Sequence, residues 1–177
     1  MLIREITGNR SNTEMEGLEI DTLHLEWYEL NKRVQRKVSS AGRDVALKFT
    51  SEGVMLGDGD ILYLNREEGV AIVVVVDATQ AILLSPQNML EMATVCYEIG
   101  NKHMPLFIDG DEILLPYEAP MFKWLEAAGY APQEVSRKLL NRLKSKSSDH
   151  HHSHHEEHHK SLFTKVINFA SKASKDE

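Results

Sequence analysis

Cysteine is nearly missing from this sequence, with Cys96 the one thiol in 177 residues. A single cysteine closes no internal disulfide and builds no thiolate cage within one protomer, which excludes disulfide-stapled and zinc-finger architectures. Long apolar runs are missing as well. The longest, Val70 to Val76 with its neighbours, falls far short of the roughly 20 residues that span a bilayer. The opening MLIREITGNR contains no apolar signal core. A soluble cytoplasmic protein without membrane contact is therefore expected. There is no excess of basic charge, since 20 Lys and Arg stand against 27 Asp and Glu for a formal charge of -7. A broad nucleic-acid-binding face is not expected on such a chain. Nor is there an HExxH, GxSxG or GxxxxGK[ST] pattern, so protease, esterase and nucleotidase chemistry lack their required parts and no enzyme is expected.

What is present suffices for a packed core, with 42% hydrophobic residues in a chain long enough for one ordinary domain or two small ones. Up to about residue 77 the apolar stretches are short: Leu23 to Leu30, Val34 to Val38, Val45 to Phe49, Ile61 to Leu64 and Val70 to Val76. Their regular spacing, broken by turn residues, predicts an antiparallel β domain over 1–77. Ser39 to Asp44 supplies a hairpin loop, and Leu56 to Asp60 a second turn that lacks the further acidic ligands of a calcium loop.

From residue 78 the pattern changes to strand, helix, strand, strand, helix, strand. Ala81 to Leu84 reads as a strand, and Ser85-Pro86 as the start of a helix carrying Met89, Met92, Ala93, Cys96 and Ile99 and ending at Gly100-Asn101. Met104 to Ile108 and Glu112 to Leu115 read as strands joined through Asp109-Gly110-Asp111. Pro120 to Ala128 is a second helix stopped by Gly129, and Val135 lies in a closing strand. The expected fold class is α+β, an N-terminal antiparallel β domain followed by a ferredoxin-like βαββαβ domain over 78–143. Residues 144–177 read as a flexible tail ending in a short amphipathic helix, 161–173, with Leu162, Phe163, Val166, Ile167, Phe169, Ala170 and Ala173 on one side.

Seven of the nine histidines lie in that tail, at His150, His151, His152, His154, His155, His158 and His159. No packing requirement produces such a run, whereas neutral imidazole is a common ligand for nickel, copper and zinc ions. Glu156 and Glu157 interrupt the tract, and an amphipathic segment follows it, unlike the unbroken terminal run of an expression tag. In the body only His24 and His103 remain. His24 alternates with apolar Leu23 and Leu25, as an exposed strand residue does. His103 falls where a helix ends and a strand begins, and a lone histidine there commonly caps helix carbonyls. In a two-fold dimer with this loop at the axis, two copies of His103 would make half of a metal site that the tail could complete. Cys96 reads as a buried helix residue, not a nucleophile.

The segment Cys96-Tyr97-Glu98-Ile99-Gly100-Asn101-Lys102-His103-Met104-Pro105-Leu106 closely resembles the signature of the UreE family of urease accessory proteins, whose Gly-Asn-Arg-His motif carries a metal-binding histidine. Leu25 to Glu29, the Gly57 to Leu62 segment and the His-rich tail resemble the family too. The resemblance implies an N-terminal domain of the peptide-binding type, a ferredoxin-like metal-binding domain and a homodimer. It further implies delivery of Ni2+ to the urease apoprotein and its other accessory proteins, in concert with the urease accessory GTPase. Zn2+ or Cu2+ would compete in vitro, and storage or detoxification of nickel or zinc by the tail is the alternative reading. On this pattern the metal ligands would be His103 and the seven tail histidines. Lys102 departs from the motif's arginine, keeping the charge but not the bidentate fork. Leu115 to Ala119 contains none of the extra histidines that some members carry.

Overall fold

The computed structural model describes residues 1–51 and 53–143. The expected linker at 144–149, the seven clustered histidines and the terminal amphipathic helix lie outside the described residues.

The first half is built from strands β1 (Leu2–Ile3), β2 (Gly8–Asn9), β3 (Glu19–Leu25), β4 (Val34–Val38), β5 (Asp44–Lys48), β6 (Asp60–Asn65) and β7 (Val70–Val76). They form a three-stranded sheet in the order β1-β5-β4 and a four-stranded sheet in the order β2-β6-β7-β3. β7 lies inside its sheet, and Ala71 through Val74 are buried without interruption. That burial explains an unbroken apolar run where a half-exposed strand would alternate. Side chains from both sheets, including Leu23, Leu25, Val45, Leu47, Ile72 and Val74, share one core.

The antiparallel expectation for this half needs correction. β4–β5 and β6–β7 are antiparallel, but β1–β5 and β3–β7 are parallel, the latter in continuous register from Glu19↔Val70 to Leu25↔Val76. Even spacing of short runs marks strands, but a parallel partner needs a long connection and leaves no local turn signal. The run Leu23 to Leu30 is also not one strand. β3 ends at Leu25, and a 3-10 turn, Trp27–Glu29, follows.

The second half comprises β8 (Thr79–Leu84), α1 (Met89–Asn101), β9 (Phe107–Asp109), β10 (Glu112–Pro116), α2 (Ala119–Ala127) and β11 (Gln133–Arg137). This is the expected strand-helix-strand-strand-helix-strand sequence, folded into an antiparallel sheet of order β11-β8-β10-β9. The mixed α+β character expected from the sequence is thus present. Alternation along the strands sorts two layers. Ile82, Leu84, Ile113 and Leu115 pack with Val95, Ile99, Met121 and Leu125 of the helices. Ala81, Leu83, Leu114 and Phe107 face the other way, with Leu139 and part-buried Trp27.

Local chemistry shifts the helix start from its expected place. Asn88, not Ser85, caps α1, its side-chain oxygen accepting the Glu91 N–H at 3.0 Å while the Glu91 carboxylate accepts the Gln87 N–H at 2.8 Å. The first bond satisfies a donor that the first helical turn leaves open, and the second ties the residue before the cap to that turn.

Met1–Lys144 forms one compact unit. Trp27, from the first half, meets Phe107 of β9 edge-on with ring centroids 5.4 Å apart. Lys138, just after β11, donates to both carboxylate oxygens of Asp58 at 2.9 and 3.0 Å. Asp58 also accepts the Val76 N–H at 2.7 Å, so one carboxylate ties the 57–60 turn, the end of β7 and the C-terminal half together.

Candidate metal centre

His103 stands immediately beyond α1, and its backbone is the most unusual in the described chain. Among the described residues it is the only non-glycine with positive φ, at 56°. Its N–H donates to the Gly100 carbonyl at 2.9 Å, and the Lys102 N–H donates to Ile99 at 3.0 Å. These bonds satisfy carbonyls that the last helical turn would otherwise leave open. Helix α2 ends in the same way but with the usual residue. Gly129, at φ 89°, donates to Glu126, and Tyr130 donates to Leu125, completing a two-bond cap. A left-handed conformation costs an L-residue roughly 1–2 kcal/mol, which glycine escapes. Histidine at the equivalent point of α1 is therefore held in a strained conformation, with its imidazole exposed. The helix continues through Gly100-Asn101, and the expected stop falls later, at Lys102–His103.

Lys102, exposed like His103, turns its side chain to α2. Its ammonium sits 4.0 Å from the centroid of the Trp124 ring on α2, a cation–π contact that draws the positive charge onto an aromatic face. An arginine could make the same contact, so this departure from the family motif leaves the local geometry attainable by either cation. Beside the pair runs an open groove of about 260 Å³ lined by Lys102, Met104, Glu118, Pro120, Met121 and Trp124.

The outer face of α1 is apolar and exposed. Met89 is 87%, Leu90 76% and Tyr97 71% accessible. Met89 opens the apolar series that marks this helix in the sequence, yet the core is contacted by Val95 and Ile99, with Met92 and Cys96 part-buried against it. The sequence signal for a second apolar stripe was present in the unused Leu90 and Tyr97, seven residues apart and hence on one helical face.

The other candidates lie elsewhere in chemistry as well as in space. His24 is exposed on β3, with Nδ1 2.6 Å from Asp77 Oδ1 and Nε2 3.2 Å from Thr22 Oγ1. Cys96 is part-buried, its Sγ 3.9 Å from Met92 Sδ, and burial pushes its thiol pKa up, away from thiolate reactivity. Among the described residues no three His, Cys, Asp or Glu side chains group closely enough to hold a metal ion. Within the described part of a single chain His103 therefore belongs to no such group. No helix among the described residues is long and apolar enough to cross a membrane.

Comparison with known proteins matches two family models, the N-terminal domain of UreE urease accessory protein over residues 3–76 and its C-terminal domain over residues 72–164. A urease accessory protein UreE of Flavobacterium johnsoniae is 44% identical over 170 residues, covering 96% of this chain and 99% of its own. The protein of the same description from Actinobacillus pleuropneumoniae is 42% identical over 83% of this chain and 80% of its own. That from Acetivibrio thermocellus is 41% identical, over 81% and 92% respectively.

Proposed function

The chain belongs to the UreE family of urease accessory proteins, and on that premise we propose that it is a nickel metallochaperone which delivers Ni2+ during maturation of the urease active site. Nickel is cargo here, bound to be released, and the protein is an accessory chaperone, not an enzyme. The observation that carries the reading is His103, exposed at the end of α1 in a conformation that costs stability and serves no packing. Strain of that kind is retained where a side chain has work to do.

One imidazole is a poor site, so the ion is shared. Two protomers meet through the apolar face of Leu90 and Tyr97, bringing a His103 from each to the two-fold axis, and the histidines at 150–159 capture ions and complete the coordination. Apolar exposure on a helix that ends at the ligand supports this assembly. The two halves act as an N-terminal β domain over 1–77 and a ferredoxin-like metal-binding domain over 78–143. Nitrogen ligands without a thiolate cage keep the ion exchangeable. Because divalent affinity alone ranks copper above nickel, docking to the urease accessory GTPase and the urease apoprotein in the cytoplasm supplies the selectivity.

Isothermal titration of nickel into His103→Ala, and into a chain truncated after Asp149, tests the proposal. Loss of affinity in the first and of stoichiometry in the second is expected, and unchanged binding in both would overturn it. A storage role would instead place all binding in the truncated segment and leave His103→Ala unaffected.

A further inference from the structure

Sulfur is concentrated on helix α1, which carries Met89, Met92 and the chain's one cysteine, Cys96. At about 3.6 residues per turn the three fall within an arc of about 60°. Their strip lies between the core-facing Val95 and Ile99 and the exposed Leu90 and Tyr97. Met92 and Cys96 are part-buried against the core, whereas Met89 packs against none of it and stands in water.

Cys96 Sγ lies 3.9 Å from Met92 Sδ. As a hydrogen bond between a weak donor and a weak acceptor this contact contributes little. The spacing itself is informative. Two sulfurs each about 2.3 Å from one ion, with about 120° between the bonds, lie about 4.0 Å apart. The pair therefore already stands at the separation that a shared trigonal ion requires. Met89, one turn before Met92, is placed to supply a third sulfur. With Met92 it lines an open groove of about 370 Å³ that gives an ion a way in from solvent, and Asp111 puts a negative charge on the groove's rim. The unbranched methionine side chain, with three rotatable bonds, can swing onto an ion that the other two hold.

Ligand chemistry decides which ion this is. Thioethers suit soft cations, so two of them with a thiolate, and no imidazole, favour Cu(I) over nickel or zinc. His103 follows Cys96 by seven residues and is not part of the strip.

We propose that Met89, Met92 and Cys96 form a trigonal Cu(I) site on α1, distinct from His103. On binding, the Cys96 S–H bond breaks and its proton passes to solvent, while the thiolate and the two thioethers each give an electron pair to the ion. Copper enters and leaves as Cu(I), so no oxidant or reductant takes part. The site stands whether or not the chain carries nickel.

The full chain, kept anaerobic with ascorbate and given one equivalent of Cu(I), tests this. Copper X-ray absorption reads the neighbours of the ion, and the rate of Cys96 alkylation by iodoacetamide, with copper against without, reads protection of the thiol. Sulfur neighbours at about 2.3 Å and slowed alkylation are expected, with no slowing by Ni2+. Met89→Leu and Met92→Leu, which conserve side-chain volume, should each lower the number of sulfur neighbours and lose the protection although Cys96 remains. Met89 is exposed, so its variant keeps the test decisive if Met92→Leu unfolds. Nitrogen and oxygen neighbours alone, equal protection by Ni2+, or wild-type protection in Met89→Leu overturns the proposal. Nickel titration of Met89→Leu should match the wild type, which separates this outcome from that of the nickel reading.

Discussion

Replacing His103 by glycine should make the metal-free protein more stable while removing the imidazole proposed to bind nickel. The left-handed φ of 56° costs a side-chain-bearing residue roughly 1–2 kcal/mol, with histidine toward the low end because it tolerates this region better than most residues. Glycine relieves that cost but brings about 0.5–1 kcal/mol of extra freedom in the unfolded chain. The imidazole is exposed, so little burial is lost. The balance is a gain of about 0.5 kcal/mol, reaching about 1 kcal/mol if the strain is at the upper end. In a chain of this size that raises the midpoint of thermal unfolding by roughly 1–4 °C. His103→Ala is the control, because it deletes the imidazole but keeps the strain and should melt close to the wild type. Thermal denaturation followed by circular dichroism, with a chelator present, makes the comparison. If His103→Gly melts at or below His103→Ala, the conformation is not strained and the reasoning about a costly, retained ligand fails.

Gly129 offers the converse, since Gly129→Ala places a Cβ in the left-handed position that closes α2 and should cost about 1 kcal/mol in urea unfolding. Asp21 is buried, and burial alone would raise its pKa, yet bonds from Ser39, Arg43 and the Ala41 N–H outweigh that and hold it below the ordinary carboxylate range. Glu29 is lowered likewise, the bonds from Lys37 and Glu26 overcoming its burial. Folded values below unfolded ones mean a contribution that is complete above about pH 4–5 and lost as pH falls through the lowered values. Acid titration of an Asp21→Asn, Glu29→Gln variant should accordingly show a flatter loss of stability below that range than the wild type. Asp58→Ala should cost about 1–3 kcal/mol because it orphans the Val76 N–H as well as Lys138, whereas Lys138→Met should cost no more than about 1 kcal/mol. Urea midpoints of the two variants distinguish a buried backbone tie from a surface ion pair.

The sequence was most informative where a residue's environment is local. Val34 to Val38 and Val70 to Val76 form strands with those same limits because turn residues bracket them. Gly129 ends α2 as expected because the stop is chemical. The pairing of β3 with β7 was not legible, since nothing near Glu19 names Val70 as its partner. At the candidate site, His103 was marked by its neighbours in the chain, but its left-handed backbone was not, because the residue carrying it is not glycine. In the sequence Trp124 is one of several apolar residues within the second helix, and only the packing of α2 against the end of α1 reveals that it receives the Lys102 ammonium. The clustered histidines give a chemistry without a geometry, as a run of identical ligands specifies no arrangement among them.

The parallel pairing of β3 with β7 also bears on how the chain is made. A ribosome extending at about 5–20 residues per second leaves β3 waiting on the order of several seconds before Val70 exists to pair with Glu19. During that interval Leu23 and Leu25, fully buried once folded, are uncovered beside a strand with no neighbour. Closing so distant a contact is also entropically slow. The nascent first half is therefore the stretch of synthesis most exposed to misassociation, and slowing translation upstream of Val70 should lengthen that vulnerable window, whereas a pause placed after Val76 should not.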